Sequence, residues 1–577
     1  MAEISLRHLL LKGRIMKKVC DFEYRRVTLE EVKSGYEQVV NKIRNAKSAD
    51  EIIKVRNTDL KKLFNDVATY GSLAYMRYTC NTKDEFYTQE QEYYDENMPI
   101  IVTYIAEYQK AMVESPFRAE LEKVLGKSIF KKYEFSIKVN DERVVAEKQE
   151  EAAIGMEYSK LMSTMKFKWE GEEVPLSIVR GKKEDSDREV RRKAAFAMGE
   201  GLKAHAKELD DIFDRLVKVR DKIAKKLGFK NYVEYGYYAM NRVDYDRDMI
   251  ETFRKNVAKS IVPKNAELIK DVTDALGYDS YTFYDEGIYS EGEQPVPVLS
   301  PDGILNAGLE MYKEMSDVTG DFMQKMMDAS AFDVLSRDGK WGGGYAIDFP
   351  DFDQPFILAN FNGSSGDVDV ITHEFGHTLA MNFVHKYGDF EMDLGGNETA
   401  ECHSMSMEFF CWKFMDKFFG KNTNKYLRKH LSDALIFIPY GCMVDEFQHI
   451  VYENPELTPE DRKKEWLKLE KKYRPYLNIK GVPYIEEGTR WQYQMHIYES
   501  PFYYIDYCLA QTVALGFLIA MNKDYDKAFD KYIEFSKCGG TVPFPELVKN
   551  AGLPDPFTDG TLDVIASGAL DILKSLS

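Results

Sequence analysis

Two histidines four residues apart, with a glutamate directly after the first, form the stretch His373-Glu374-Phe375-Gly376-His377. On a helix this spacing turns the second imidazole about 40° from the first and lifts it one turn, so both can face one atom. Such a pair holds zinc, and Glu374 can reach a water on the ion but not the ion itself. The chemistry indicated is hydrolysis by a metallopeptidase of the H-E-x-x-H type. The competing reading is a surface helix with two solvated histidines. Against it stand Val368, Val370, Ile371, Leu379, Ala380 and Phe383, which require the helix to be buried and its ionisable groups to have partners.

A catalytic zinc takes three protein ligands and leaves one position open. The metzincin pattern would need glycine and histidine where this chain has Ala380 and Phe383, so that class is excluded. His385 lies about 120° around the helix from His373 and points elsewhere. The third ligand must come from another element, and Glu398 to Glu408 is the acidic segment that follows. Glu401 and Glu408 are seven apart and share a face, which suits one ligand and one acceptor for an imidazole N–H. Glu398, one turn earlier, is a rival, and His403 would face away from Glu401.

The elements that position these groups follow from periodicity and breakers. The metal helix should run from Asp367 to about Lys386, with capping residues at Ser364 to Asp367 and a stop at Gly388. Gly376 costs that helix about 1 kcal/mol relative to alanine, and the expected return is close packing by a neighbour. A second helix is predicted from Glu398 to Phe419, ended by Gly420. Upstream, Gly342-Gly343-Gly344 leads into extended sequence, Phe356 to Phe361 is strand-like, and Asn362-Gly363 marks a turn. A small sheet beside the metal helix could pair with an extended substrate backbone.

Helical periodicity dominates from Thr28 to about Arg242, with examples at Leu29–Ala46, Asp59–Thr79, Lys83–Met112, Asp187–Leu227 and Tyr232–Met240. A further helix, Asp244 to Leu276, should kink or split at Pro263. A polar, tyrosine-rich connection, Leu276 to Val298, is the best boundary before helical sequence from Pro301 to Met327. The division expected is a possible leader at 1–15, a helical lobe at 16–242, a helical connection at 243–340 and a catalytic region at 341–577.

A chain of 577 residues is too long for one core, so more than one subdomain is expected. Lys and Arg number 78 against 96 Asp and Glu, a net charge of −18, which argues against a nucleic-acid partner. No run approaches 18 consecutive apolar residues, so no membrane span is expected. Seven cysteines without a C-x-x-C pair look like reduced residues of a cytoplasmic protein. The N-terminus lacks a small-residue cleavage site, and Met16 could be a native start behind an appended leader.

His373 to Ala380 (HEFGHTLA) together with Glu398 to Phe409 (ETAECHSMSMEF) resembles the oligoendopeptidase F branch of the thimet-oligopeptidase-like zinc metallopeptidases. The likeness is close from about Trp341 to Gln511 and general elsewhere. It implies a mainly α, two-lobed zincin-like molecule enclosing a deep channel, with the metal helix on its floor and a small β-sheet next to it. It also implies one zinc per chain, held by His373, His377 and Glu401 and supported by Glu408. Arg490 to Tyr507 (RWQYQMHIYESPFYYIDY) strengthens the match. There the family places a histidine and two tyrosines as substrate and transition-state contacts, carried here onto His496, Tyr504 and Tyr507, with the choice between Tyr503 and Tyr504 open.

The function expected is a zinc-dependent endopeptidase that cuts internal bonds of short oligopeptides with Glu374 as general base. The substrate would lie along the Phe356–Phe361 edge and the Gly342–Tyr345 loop, touching Gly343, Tyr345, Leu358 and Asn360. A helical metallocarboxypeptidase is the alternative within enzymes. A non-hydrolytic peptide- or zinc-binding protein is the alternative outside them, and Glu374 speaks against it because a structural zinc site has no use for a base.

Overall fold

The computed structural model describes residues 17–392 and 394–576; the leader expected at 1–15 lies outside the described residues. Near the N-terminus, α1 (Leu29–Asn45), α2 (Lys61–Cys80) and α3 (Glu85–Val113) close around a core that includes Val32, Tyr36, Ile43, Ile101 and Tyr108. The start of α1 is set by a capping box, in which the Thr28 hydroxyl accepts from the Glu31 N–H and Glu31 accepts from the Thr28 N–H, so two otherwise unpaired amides are satisfied. A second, larger core takes in most of the chain from Val139 to Leu573.

Where one helix was expected at Asp187–Leu227 there are two, α4 (Arg188–Ala204) and α5 (Ala206–Lys226), because His205 leaves helical geometry at φ −110° and ψ 14°. The predicted break at Pro263 is a π-turn, Val257–Ile261, followed by a helix that holds the proline in its first turn, where its missing N–H costs nothing. A short hairpin, β1 (Phe167–Trp169) and β2 (Glu172–Val174), was not foreseen. Its strands are too short to show a period, and the signal is the Glu170-Gly171 turn, with φ 50° and 90°.

The C-terminal half contains a three-stranded sheet of β3 (Phe332–Leu335), β4 (Tyr345–Phe349) and β5 (Gln354–Phe361), in the order β3-β5-β4. β5 runs parallel to β3 and antiparallel to β4. This corrects the expected substrate edge at Phe356–Phe361: β5 is the central strand, buried on both faces from Gln354 to Ala359, as a continuous apolar run should be. Leu358, paired on both sides, therefore has no free backbone edge to offer a peptide, and the edges of the sheet are β3 and β4.

After the sheet come α6 (Gly366–Tyr387), α7 (Asn397–Phe410), α8 (Thr423–Glu453) and, later, α9 (Tyr504–Met521). α7 ends before the predicted Phe419, giving way to a 3₁₀ turn at Cys411–Phe414 and a short helix at Asp416–Phe419. It packs between α6 and α9. A Cβ on Gly376 would stand 2.5 Å from the His403 carbonyl oxygen and 2.7 Å from the Ser404 Cα, so any side chain there would drive α6 and α7 apart.

α9 is long and apolar enough to cross a membrane, with 18 residues at a mean hydropathy of 1.5, yet 78% of it is buried inside the protein. It is apolar all round because α7, α8 and two C-terminal helices cover it. All seven cysteines are unpaired.

Candidate active site

His373 and His377 leave α6 on one face, and Glu401 reaches them from the first turns of α7. One nitrogen from each imidazole and one oxygen of Glu401 lie within 4.8 Å of one another. The Glu401 carboxylate is 3.3 Å from His373 Nε2 and 3.5 Å from His377 Nε2. Donors about 2.0–2.1 Å from a tetrahedral ion stand roughly 3.3 Å apart, so these residues fit a zinc ion. Glu401 is buried, yet the His377 and His373 imidazoles hold its carboxyl well below the usual range. Glu398 points elsewhere, its carboxylate accepting from the Tyr245 hydroxyl at 3.1 Å. His403 is likewise turned away, its Nδ1 lying 3.2 Å from the Ser536 hydroxyl.

Behind the triad, Glu408 joins two helices. One oxygen accepts from His373 Nδ1 at 2.6 Å and the other from His430 Nε2, on α8, at 2.7 Å. The Trp412 indole N–H donates to His430 Nδ1 at 3.0 Å, so Nε2 carries the proton given to Glu408. Burial alone would raise the Glu408 carboxyl, but the two imidazoles outweigh it and bring it to about 2. As a permanent anion on Nδ1–H, it leaves the His373 Nε2 lone pair aimed at the ion position. His430 had no motif to announce it; only the fold brings α8 to this point.

Glu374 is buried beside the triad. Burial raises its carboxyl above the ordinary carboxylate value, opposed by the two imidazoles and by a hydrogen bond from the Ala346 backbone N–H, which anchors the base to β4. Gly344 makes room for this: a Cβ there would meet Val370 Cγ2 at 3.1 Å and the Leu358 carbonyl at 3.4 Å. Of the residues expected to line the substrate path, Tyr345 starts β4 and its hydroxyl bonds Thr79 on α2. Asn360 instead donates to the Trp341 and Gly343 carbonyls at 2.8 Å each, which shapes the glycine loop from beneath, and Leu358 is buried opposite Tyr345.

His496 stands over the site from a short helix, Met495–Glu499. Its Nδ1 is 3.1 Å from Gln494 Nε2, and the Gln494 oxygen accepts from the Tyr440 hydroxyl at 2.9 Å. An amide nitrogen only donates, so the proton sits on His496 Nε2. Burial lowers the pKa of this imidazole, which keeps it a neutral N–H donor. Its ring lies 5.8, 5.1 and 5.7 Å from those of Tyr503, Tyr504 and Tyr507.

The three tyrosines differ. Tyr503 donates to Glu401 Oε1 at 2.6 Å, so this hydroxyl touches the ligand set. Tyr507 stacks beside Tyr503 with ring centroids 4.9 Å apart, and burial together with the Glu401 charge pushes its phenol up, keeping the proton available for donation. Tyr504 turns toward Phe437 and Tyr440. Of the two tyrosines left open in the sequence, Tyr503 touches Glu401 and Tyr504 joins the aromatic wall behind.

Comparisons with known proteins bear on the family and the fold. The family model described as the peptidase M3 N-terminal domain matches residues 20–140, and that of peptidase family M3 matches residues 182–567. Oligopeptidase PepF of Bacillus subtilis is 21% identical over 385 residues, which make up 65% of this chain and 56% of that protein. An oligoendopeptidase F homolog of Borreliella burgdorferi is 23% identical over 62% of this chain and 60% of its own length. The matches thus span little more than half of these relatives.

Solved structures align over nearly the whole chain. PZ peptidase A with an inhibitor superposes with a TM-score of 0.93 at 40% identity, covering 96% of this chain and 99% of that one. A structure assigned as an oligoendopeptidase F from Bacillus anthracis gives 0.88 at 39% identity, covering 97% and 98%. With a helical two-lobed architecture, a small sheet beside the HExxH helix and the family model spanning both elements of the His-His-Glu cluster, the chain belongs to peptidase family M3.

Proposed function

We propose that the protein is a zinc-dependent endopeptidase of the oligoendopeptidase F type, cutting internal bonds of short peptides in the cytoplasm. The observation that carries this reading is the convergence of His373, His377 and Glu401 on one point with the buried Glu374 beside it. Zinc held there would supply Lewis acidity to the scissile carbonyl and acidify the attacking water.

The chain's own residues do the rest. Glu374, with its pKa raised by burial, accepts the proton of the attacking water and returns it to the leaving nitrogen. Tyr507 and the Nε2–H of His496 donate to the carbonyl oxygen as negative charge develops on it. The edge of β4 that no strand pairs offers backbone groups to an extended peptide, which aligns the bond beside Glu374. The free cysteines suit a reducing compartment.

A quenched peptide blocked at its C-terminus tests the reading. It should be cut internally, lose cleavage on chelation and regain it with zinc. Glu374→Gln should keep its zinc by elemental analysis while turnover falls by about 10²–10⁴. Because Glu374 titrates above the ordinary carboxylate value and acts only when ionised, activity should fall as pH drops through that raised value. Near-normal turnover of the Gln variant would remove the proposed base.

A further inference from the structure

Tyr504 and Gln494 also line a cavity of about 400 Å³, whose charged residues are Arg180, Lys183, Arg474, Arg490, Glu286 and Asp433. Its charges do not balance. Arg474 is held by Glu470 at 2.5 Å and by Glu286 at 2.7 Å. Arg490 shares that Glu286 oxygen at 2.6 Å, and Asp433 is offset by Lys429 at 2.6 Å. Four cations facing Glu286 and Glu470 leave a surplus of two positive charges.

The surplus is carried by the two outer cations. Lys183 comes no closer than 3.8 Å to Glu286. Arg180 lies over the Tyr493 ring at 5.7 Å and forms no ion pair among the described residues. Burial, and then Arg490, Arg180 and Arg474, push the Lys183 ammonium down to about 8 against the pull of Glu286. Arg490 Nε is buried without a hydrogen-bond partner.

The cavity adjoins the reaction site through a short relay, since Tyr440 donates to Gln494 and Gln494 to His496. We propose that it is an anion subsite that takes a carboxylate of the bound peptide, with Arg180 and Lys183 as its donors. Arg180 is exposed at the rim of the cavity and Lys183 is half-buried within it, so a peptide can reach both, and a surplus of guanidinium and ammonium groups around one cavity suits a carboxylate. The anion of a short peptide is its C-terminal carboxylate or an acidic side chain, and either held here would fix which bond reaches Glu374. The inference rests on the endopeptidase reading and sharpens its substrate class.

The test uses zinc-loaded protein and two matched peptide pairs, one free acid against carboxamide, the other glutamate against glutamine. Cleavage (kcat/KM) is read in the wild type, and affinity (Kd) in Glu374→Gln by fluorescence anisotropy, so a failure of the hydrolytic reading does not mask the subsite. The carboxylate-bearing member of at least one pair should be favoured about tenfold. Preference in the first pair assigns the terminus, and in the second a side chain. Arg180→Gln/Lys183→Gln should reduce the preference to within twofold, and Lys183→Arg should retain it. Equal affinity for both members of both pairs, or a preference that survives the double substitution, would overturn the proposal.

Discussion

The middle and the C-terminal end of α6 use a histidine beside carboxylates for opposite purposes. At its C-terminal end, His385 is bound by both ring nitrogens, Nδ1 to Asp353 and Nε2 to Asp348, each at 2.6 Å. With both nitrogens donating, the ring is an imidazolium, and the carboxylates raise its pKa to about 9 despite burial. It ties the helix to β4 and has no lone pair left. In the middle of the helix, His373 also has a carboxylate on Nδ1, at 2.6 Å. Its Nε2, however, faces His377 and Glu401, where an ion can sit. A histidine between two acids is a clamp, whereas a histidine with one acid behind it and a second imidazole in front is a ligand.

The comparison breaks first at the metal. Glu401→Ala should lose its zinc by elemental analysis and cleave at background, whereas His385→Ala should keep full occupancy. Retained zinc in Glu401→Ala would hand the third position to another group. Glu408→Ala removes only the acid behind His373, and zinc affinity measured by competition with a chelator should fall about 10–100-fold.

The tyrosines sharpen it further. Tyr503→Phe deletes the bond to Glu401 and should lower kcat/KM about tenfold, whereas Tyr504→Phe should stay within about twofold. The reverse order would give the larger part in turnover to Tyr504.

The smallest effect belongs to the clamp. The folded-state pKa of His385, about 9, lies above its ordinary 6.5. Its contribution is therefore complete below pH 6.5 and is lost as pH rises through 9. Asp353 is 62% exposed, so solvent screening limits the contribution to about 1–2 kcal/mol. Urea midpoints of His385→Gln and wild type should differ at pH 6 and converge by pH 10.

Much of the site was legible because it is local. Four-residue spacing on one helix puts His373 and His377 together whatever surrounds them, and the limits of α6 followed from its breakers to within a residue or so. The seven-residue interval of Glu401 and Glu408 placed both on one face of α7 but did not say which would be the ligand; the resemblance chose Glu401, and the coordinates bring its oxygen to the imidazoles. The strand at Phe356–Phe361 was read correctly as a strand and wrongly as an edge. Its apolar run was the clue, since a strand with no polar face has neighbours on both sides.

By itself, then, the chain's order of residues determined the metal pair, the base, the acidic helix and the mostly helical class, all set by contacts within one or two turns. Only the tertiary structure decided that His430 would back Glu408, that β4 would carry an edge, that Tyr503 would touch Glu401 and that Arg180 would join Arg490 around one cavity. These partners lie from 22 to more than 300 residues apart in sequence. Side-chain period and local propensity carry no information about which distant surfaces meet; that is settled when the large apolar faces of α6, α7, α8 and α9 are buried against one another.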